Sequence, residues 1–398
     1  MRSGVFPRPG AVRTAVICAA MVCAAVLVAT GRAAAAARPA DTAAVRPLAA
    51  AATPLTIRGA DLSTLQRAED LGARYYNQNG TQGDAMQILK AAGMNYVRLR
   101  VWVNPANGYN NQAKVVAFGR QVKAAGLKLL IDFHYSDTWA DPGHQTTPAA
   151  WRNDNLSQLE TAVYNYTYAV CNALKAAGAT PDMVQVGNEI NSGMLWPVGQ
   201  LTGGTGGWSN LAGLLISGYN AVKAVSSTTQ VMLHIANGGM DAQARWWFDE
   251  AVAYHVPFDV IGVSYYSYWS GTFSGLQTTL NDLAGRYAKP VVVAETAYPF
   301  TLDNADSQGN NISSSSQLTS GYPATEAGQR TNFLAVINAL KAVPGGRGLG
   351  YFYWEPTWTA VTGNGWDPTN PNSGDGWDNQ ALFNWSGRAL SGITDFAN

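Results

Sequence analysis

Lys128-Leu129-Leu130-Ile131-Asp132-Phe133-His134 is a short apolar run that ends on polar residues. The helical run Leu156–Ala177 follows and stops at Gly178. The plan then repeats as Met183-Val184-Gln185-Val186-Gly187-Asn188-Glu189. Two brief apolar runs joined by a long amphipathic segment read as parallel strands linked by a crossover helix. The runs are apolar on both faces, as strands are when helices cover one side and a closed core the other. Gly178 suits the left-handed position after a helix, which glycine adopts at least cost.

Working outward, the same unit recurs over the chain. The other apolar runs are Ile57–Leu62, Tyr96–Trp102, Gln230–Ala236, Val260–Tyr265, Pro290–Glu295 and Leu349–Trp354, giving eight in all. Helical stretches lie between them: Asp84–Ala92, Gln112–Ala125, Leu211–Val225, Ala242–His255, Leu276–Tyr287 and Gly328–Val343. Eight strand–helix units predict an α/β fold that closes into a single (β/α)8 TIM barrel. The rival, an open doubly wound sheet, would carry a glycine-rich loop after its first strand. Here that strand runs into Ser63-Thr64-Leu65-Gln66. Nothing after Leu55 reads as an interdomain linker, so residues 55–398 are expected to be one barrel domain. Thr301–Pro323 is too long for an ordinary connection and is expected to be functional or ordered by a metal.

The first residues have another purpose. Arg2, Arg8 and Arg13 precede the uncharged run Ala15–Thr30, and small residues follow from Ala33 to Ala37. This is the pattern of a secretory signal peptide over residues 1–37, with a disordered lead-in over 38–54. The expected location is therefore extracellular, with no membrane association after cleavage. The whole chain carries 26 basic and 26 acidic residues, and no basic run tracks a phosphate backbone, so a nucleic-acid partner is excluded. Cys18 and Cys23 leave with the leader; Cys171, on an apolar helical face, reads as a packed thiol. Few charges and thirteen tryptophans suit a monomer that binds a neutral polysaccharide.

In such a barrel, the C-terminal strand ends surround the active site. Polar and aromatic residues gather there: Asp61; Arg98, Arg100 and Trp102; Asp132, His134, Tyr135, Asp137 and Trp139; Asn188 and Glu189; His234 and Asn237; Ser264, Tyr265, Tyr266 and Tyr268; Glu295; Trp354 and Glu355. Glycoside cleavage needs two carboxyl groups flanking the scissile bond. Glu189 and Glu295 each end an apolar strand, on strands four and seven across one barrel mouth. Glu189 is expected to be the proton donor, and Glu295, near Arg98 and Tyr265, the ionised nucleophile. Asp61, Arg98, Arg100, His134, Asp137, Trp139, Asn188, Ser264, Tyr265 and Trp354 are the expected substrate contacts. Trp139, Trp196, Trp269, Trp354 and Trp358 are candidate sugar platforms, whereas Trp246 and Trp247 read as core. Strand ends alone leave the sugar open between galactan, glucan and mannan. They also leave a non-catalytic carbohydrate-binding barrel.

Several strings narrow this choice. Val186-Gly187-Asn188-Glu189-Ile190-Asn191, Arg58-Gly59-Ala60-Asp61-Leu62-Ser63, Asp132-Phe133-His134-Tyr135-Ser136-Asp137, Ala294-Glu295-Thr296 and Tyr353-Trp354-Glu355-Pro356 resemble glycoside hydrolase family 53. The resemblance runs in order from about Ile57 to the C-terminus. It implies an endo-β-1,4-galactanase of the retaining type, acting on galactan and on type I arabinogalactan side chains of pectin. It also implies a structural calcium ion at the positions of Asn304, Asp306, Gln308, Asn310, Asp375 and Asp378, and no cofactor for catalysis. The chain departs from the family's pattern at Ser267 and Ser270, in the loop after strand six.

Overall fold

The computed structural model describes Pro54–Asn398; the expected signal peptide and nearly all of the expected lead-in lie outside the described residues. Eight strands form the barrel: β1 (Ile57–Asp61), β2 (Tyr96–Val101), β3 (Lys128–Phe133), β4 (Met183–Val186), β5 (Gln230–Ile235), β6 (Val260–Ser264), β7 (Val291–Thr296) and β8 (Gly348–Tyr353). Each pairs in parallel with its sequence neighbours, and β1 pairs with β8 to close the ring. The expected (β/α)8 barrel is the observed fold.

Seven helices alternate with the strands: α1 (Ala85–Ala91), α2 (Gln112–Ala124), α3 (Leu156–Ala176), α4 (Gly207–Val225), α5 (Asp241–Ala253), α6 (Phe273–Arg286) and α7 (Glu326–Lys341). Their starts are chemically marked. Asp84, Asn111, Thr272 and Thr325 each accept a first-turn backbone N–H. Asn155 and Gln158 form a reciprocal capping box on α3. After β8 the eighth helical place is taken by a 3-10 turn, Ser391–Ala397. Its Phe396 packs edge-on against Phe333 of α7. A short helix, Leu65–Asp70, has no counterpart in the sequence reading; at six residues its apolar period is too brief to show.

Inward-facing residues follow the two-residue period of each strand. At the barrel floor Ile57, Tyr96, Leu130, Met183, Met232, Val260, Val292 and Phe352 form a separate apolar cluster. Gly59 leaves room for it, since a Cβ there would lie 2.2 Å from the Phe352 ring. Two residues further along the first five strands, the same inward row turns polar: Asp61 lies above Gly59, Arg98 above Tyr96, Asp132 above Leu130, Gln185 above Met183 and His234 above Met232. All five are buried. Outside the strands, a larger apolar layer packs against the helices. Cys171 belongs to that layer, 2% exposed, and burial pushes its thiol up to about 12. It is a packed thiol, as expected. Trp247 is also core, but Trp246 is 51% exposed, which corrects its placement. Among the described residues, no helix is long and apolar enough to cross a membrane.

Candidate active site

The polar layer opens upward into a cleft of about 810 Å³. Arg98, Arg100, His134, Asn188, Glu189, Ser264, Glu295 and Trp354 line it, together with Trp139 from the loop after β3. Arg98 lies at the centre, 1% exposed. Its Nη1 donates to Asp61 Oδ2 (2.7 Å), and its Nη2 to Asp132 Oδ2 and Asn188 Oδ1 (both 2.8 Å). The same Nη2 is ion-paired with Glu295 Oε1 at 2.9 Å. One guanidinium thus serves three carboxylates, and burying it is tolerable only because they surround it. Burial would raise Asp132, but Arg98 and His134 reverse this and hold it below the usual aspartate range.

Glu295 reaches the cleft by a local irregularity. Val292 and Ala294 face inward, so a strict two-residue period would turn Glu295 outward. The register of β7 shifts against both neighbours near this point, with Ser264 paired to Glu295 and Tyr353 to Thr296. A shift of this kind re-aims a side chain, here into the cleft. On β4, Glu189 takes the left-handed conformation (φ 47°) directly after Gly187 (φ 86°) and Asn188. Tyr135 and Glu355, also just past strand ends, share it. Non-glycine residues held there mark places where the surroundings fix the backbone against its preference.

The two glutamates differ in their partners. Glu295 has the Arg98 cation on one oxygen and accepts the Tyr266 hydroxyl on the other, Oε2, at 3.0 Å. Among the described residues Glu189 has no ion-pair partner; Ser264 stands beside it in the cleft lining, its hydroxyl partly offsetting the effect of burial on the carboxyl. Burial pushes Glu189 up to about 8, and the nearby Glu295 charge adds to the shift. Burial also raises Glu295, to about 7, against the opposing pull of Arg98. Glu295 therefore ionises first and Glu189 keeps its proton. Such an arrangement supplies one acid and one base or nucleophile from two chemically identical side chains.

Around this pair the cleft is aromatic. Trp139 stacks on Trp358 (5.8 Å, 13°) and has the Arg100 guanidinium over its ring at 4.0 Å. Arg100 is itself held by Glu355 at 2.6 Å. His134 accepts at Nδ1 from the Trp102 indole (3.1 Å) and the Ala140 backbone (3.0 Å), and its Nε2 faces Asp132 at 3.0 Å. This fixes the imidazole as a hydrogen-bonding group. Trp269, Trp358, Trp366 and Trp377 also line the cleft. Sugar rings are bound by such indole faces, and a cleft of this size accommodates several of them.

Some expected contacts lie elsewhere. Tyr265 is fully buried and donates to Gly271 O (3.0 Å); its neighbour Tyr266 is the one on Glu295. The period of β6 carried the signal, since Val260, Gly262, Ser264 and Tyr266 share one face. Asp137 does not line the cleft; it accepts the backbone N–H groups of Asn104 and Ala149 and ties two loops together. Asp61 lies beneath the cleft, bonded to Ser63 and Arg98. Trp196 points its indole N–H at Ser192 O. Trp366 and Trp377, on the long segment after β8, escaped the sequence reading because no strand period governs them. Ser270 lines the cleft, and its Oγ accepts from Tyr266 N (3.1 Å). Ser267 ties the same loop to α7 by accepting from Asn332 Nδ2 (2.8 Å).

The six residues expected to hold calcium fall into two groups. Asp306 accepts backbone N–H groups of Gln308 and Asp375, one on each oxygen. Asn304 donates to Asp306 O, and Gln308 lines the cleft. Asn310 Oδ1, Asp375 Oδ2 and Asp378 Oδ1 are buried and accept no hydrogen bond. Those three oxygens fit a hard cation in donor type. Among the described residues, however, no group of three or more His, Cys, Asp or Glu side chains is placed to hold a metal.

Comparison with known proteins agrees with this geometry. The model of glycosyl hydrolase family 53 matches residues 57–396. An arabinogalactan endo-β-1,4-galactanase of Thermothelomyces thermophilus is 39% identical over 354 residues, covering 86% of this chain and 99% of that protein. An endo-β-1,4-galactanase of Bacillus subtilis is 35% identical, covering 85% of each. The solved family 53 catalytic domain of Ignisphaera aggregans superposes with a TM-score of 0.81 at 39% identity, over 86% of this chain and 95% of that one. With this match over residues 57–396 on a (β/α)8 barrel, the chain belongs to glycosyl hydrolase family 53.

Proposed function

We propose that this glycoside hydrolase is a secreted, retaining endo-β-1,4-galactanase acting on galactan, including the type I arabinogalactan side chains of pectin. One observation carries the mechanistic part: the two cleft glutamates have opposite surroundings, Glu295 between a cation and a hydroxyl donor, Glu189 with no ion-pair partner. Glu295 attacks the anomeric carbon while Glu189 gives its proton to the departing glycosidic oxygen. The resulting glycosyl ester on Glu295 is then hydrolysed by a water that Glu189, now a base, deprotonates. Arg98 and the Tyr266 hydroxyl hold the nucleophile's oxygens. Asn188 spends one amide hydrogen on Ala140 O (2.8 Å) and keeps the other for a sugar hydroxyl. The relatives' substrates support galactan, the aromatic cleft supports a polymer, and the leader sequence supports export.

Two measurements test this reading. Digestion of a panel of galactan, cellulose, mannan and xylan should release oligosaccharides from galactan alone. Proton NMR of the first products should show the β-anomer; an initial α-anomer would contradict retention. For the metal, Asn310, Asp375 and Asp378 would contribute to a structural calcium ion tying the loop after β7 to the final loop. Chelation should then lower the Tm, and an unchanged Tm in protein verified calcium-free would reject it.

A further inference from the structure

His234, on β5, is wholly buried and touches neither the cleft nor either strand-end glutamate's carboxyl. Yet its ring is bonded on both sides to groups that flank Glu189. Two N–H donors aim at Nδ1: Gln185 Nε2 at 2.8 Å and the Glu189 backbone at 3.4 Å. Asn188 Oδ1, 3.0 Å from Nδ1, is already an acceptor for Arg98 and Gln185. The other ring nitrogen, Nε2, lies 2.9 Å from Ser264 Oγ. With Nδ1 occupied as an acceptor, the ring proton resides on Nε2 and is donated to Ser264. Burial and the neighbouring Arg98 charge keep the imidazole neutral, so this proton does not come and go with pH. Ser264 lines the cleft together with Glu189, and its hydroxyl acts on that carboxyl in the sense of a donor, opposing the rise that burial causes.

We infer that His234 is a positioning residue for the proton donor: by donating Nε2–H to Ser264 it commits the serine's own hydroxyl proton to Glu189, while Nδ1 receives the Glu189 backbone. A serine hydroxyl rotates freely, and one that also accepts a hydrogen bond has its remaining direction chosen for it. The device acts on a residue in the left-handed conformation, where both backbone and side chain need holding. It spans β4, β5 and β6, so a shift in any of the three strands is felt at the carboxyl. The inference rests on Glu189 being the proton donor. The charged and titratable groups that also face this pair are Arg98, Asp132 and His134 around the imidazole, and Glu295, Asp141 and Arg98 around Glu189.

The test compares Ser264→Ala, His234→Ala, His234→Gln and the Ser264→Ala/His234→Ala double variant, each checked for folding by thermal unfolding. A hydroxyl that donates to a carboxylate stabilises the ionised form, so its loss raises the pKa of Glu189. The alkaline limb of kcat/KM on galactan should move up by about one to two pH units in Ser264→Ala, the scale of one charge-assisted hydrogen bond. His234→Ala should move it in the same direction, the double variant no further, and His234→Gln, which keeps a donor, should stay near wild type. If His234→Ala does not fold, His234→Gln and Ser264→Ala carry the comparison. A second substrate, dinitrophenyl β-galactobioside, has a leaving group that departs without protonation. In kcat/KM, His234→Ala should lose about tenfold or more on galactan, a part of what an acid catalyst supplies, and little on the aryl substrate. Additive shifts in the double variant, or equal losses on both substrates in His234→Ala alone, overturn the inference. Equal losses of kcat/KM, which reports the glycosylation step, on both substrates in Glu189→Ala as well overturn the donor assignment, and this inference with it.

Discussion

The floor and the mouth of the barrel are built by the same strands, on the same inward face, two residues apart. At the floor, Tyr96, Leu130, Met183 and Met232 fill the interior with apolar atoms. One pleat higher, Arg98, Asp132, Gln185 and His234 replace them with a polar network that is equally buried. The floor gains from excluding water and needs no particular partner for any one side chain. The mouth must pair its charges, and they are tolerable only as a set. Removing a floor residue should therefore cost stability and leave chemistry, whereas removing a mouth residue should cost chemistry or, where it leaves charges unpaired, both.

The largest separation of the two effects is expected at Glu295, the proposed nucleophile. Glu295→Ala should lower kcat on galactan by about 10⁴-fold or more, the scale at which loss of a nucleophile is usually felt, while thermal unfolding shows a folded protein. Near-normal turnover would remove Glu295 from the chemistry. Arg98→Met, by contrast, should damage both properties. It strands Asp61, Asp132 and Glu295 without their cation, a cost of about 3–5 kcal/mol for a broken buried pair, read by denaturant unfolding at neutral pH. Asp132 is held below the ordinary aspartate range, so its contribution is present above the unfolded-state pKa. The gap from wild type should close only as pH falls through that depressed value. Leu130→Ala, one pleat below, should cost about 2–5 kcal/mol through the cavity it leaves, with kcat of the folded enzyme near wild type. A large fall in kcat there would blur the division between floor and mouth.

The smallest effect sharpens the contrast within the mouth itself. Glu189 has a raised pKa, near 8, so the fold favours its neutral form. Its penalty is absent below the usual glutamate range and grows as pH rises towards 8. Glu189→Gln, permanently neutral, should therefore gain steadily on wild type as pH rises from the glutamate range towards pH 8 and level off above it. A constant difference across that range would show that Glu189 is not held protonated.

Most of the barrel was legible because strands and crossover helices write their periods into the chain, and the left-handed glycines at 126 and 178 mark where helices stop. The strand ends were legible for the same reason, including both glutamates. Three kinds of feature were not. Glu295 faces the cleft through a register shift that breaks the two-residue count, so its orientation followed from its chemistry and not from its position. Both Tyr265 and Tyr266 stand at the end of β6, and only the two-residue period of that strand separates the one that faces Glu295, Tyr266, from the one that faces away. Trp366, Trp377 and the partners of Asp306 lie in long irregular segments, where only the folded backbone brings them to the cleft or turns a carboxylate onto amide groups.

The division of labour between Glu295 and Glu189 is the centre of this account, and covalent trapping reads it most directly. Enzyme treated with a 2-deoxy-2-fluoro-galactobiosyl fluoride should form a stable ester, seen as one added glycosyl mass on the intact protein. Proteolysis and fragmentation should then locate it on Glu295. A label on Glu189, or no label from an enzyme that still turns over galactan, would contradict the assignment.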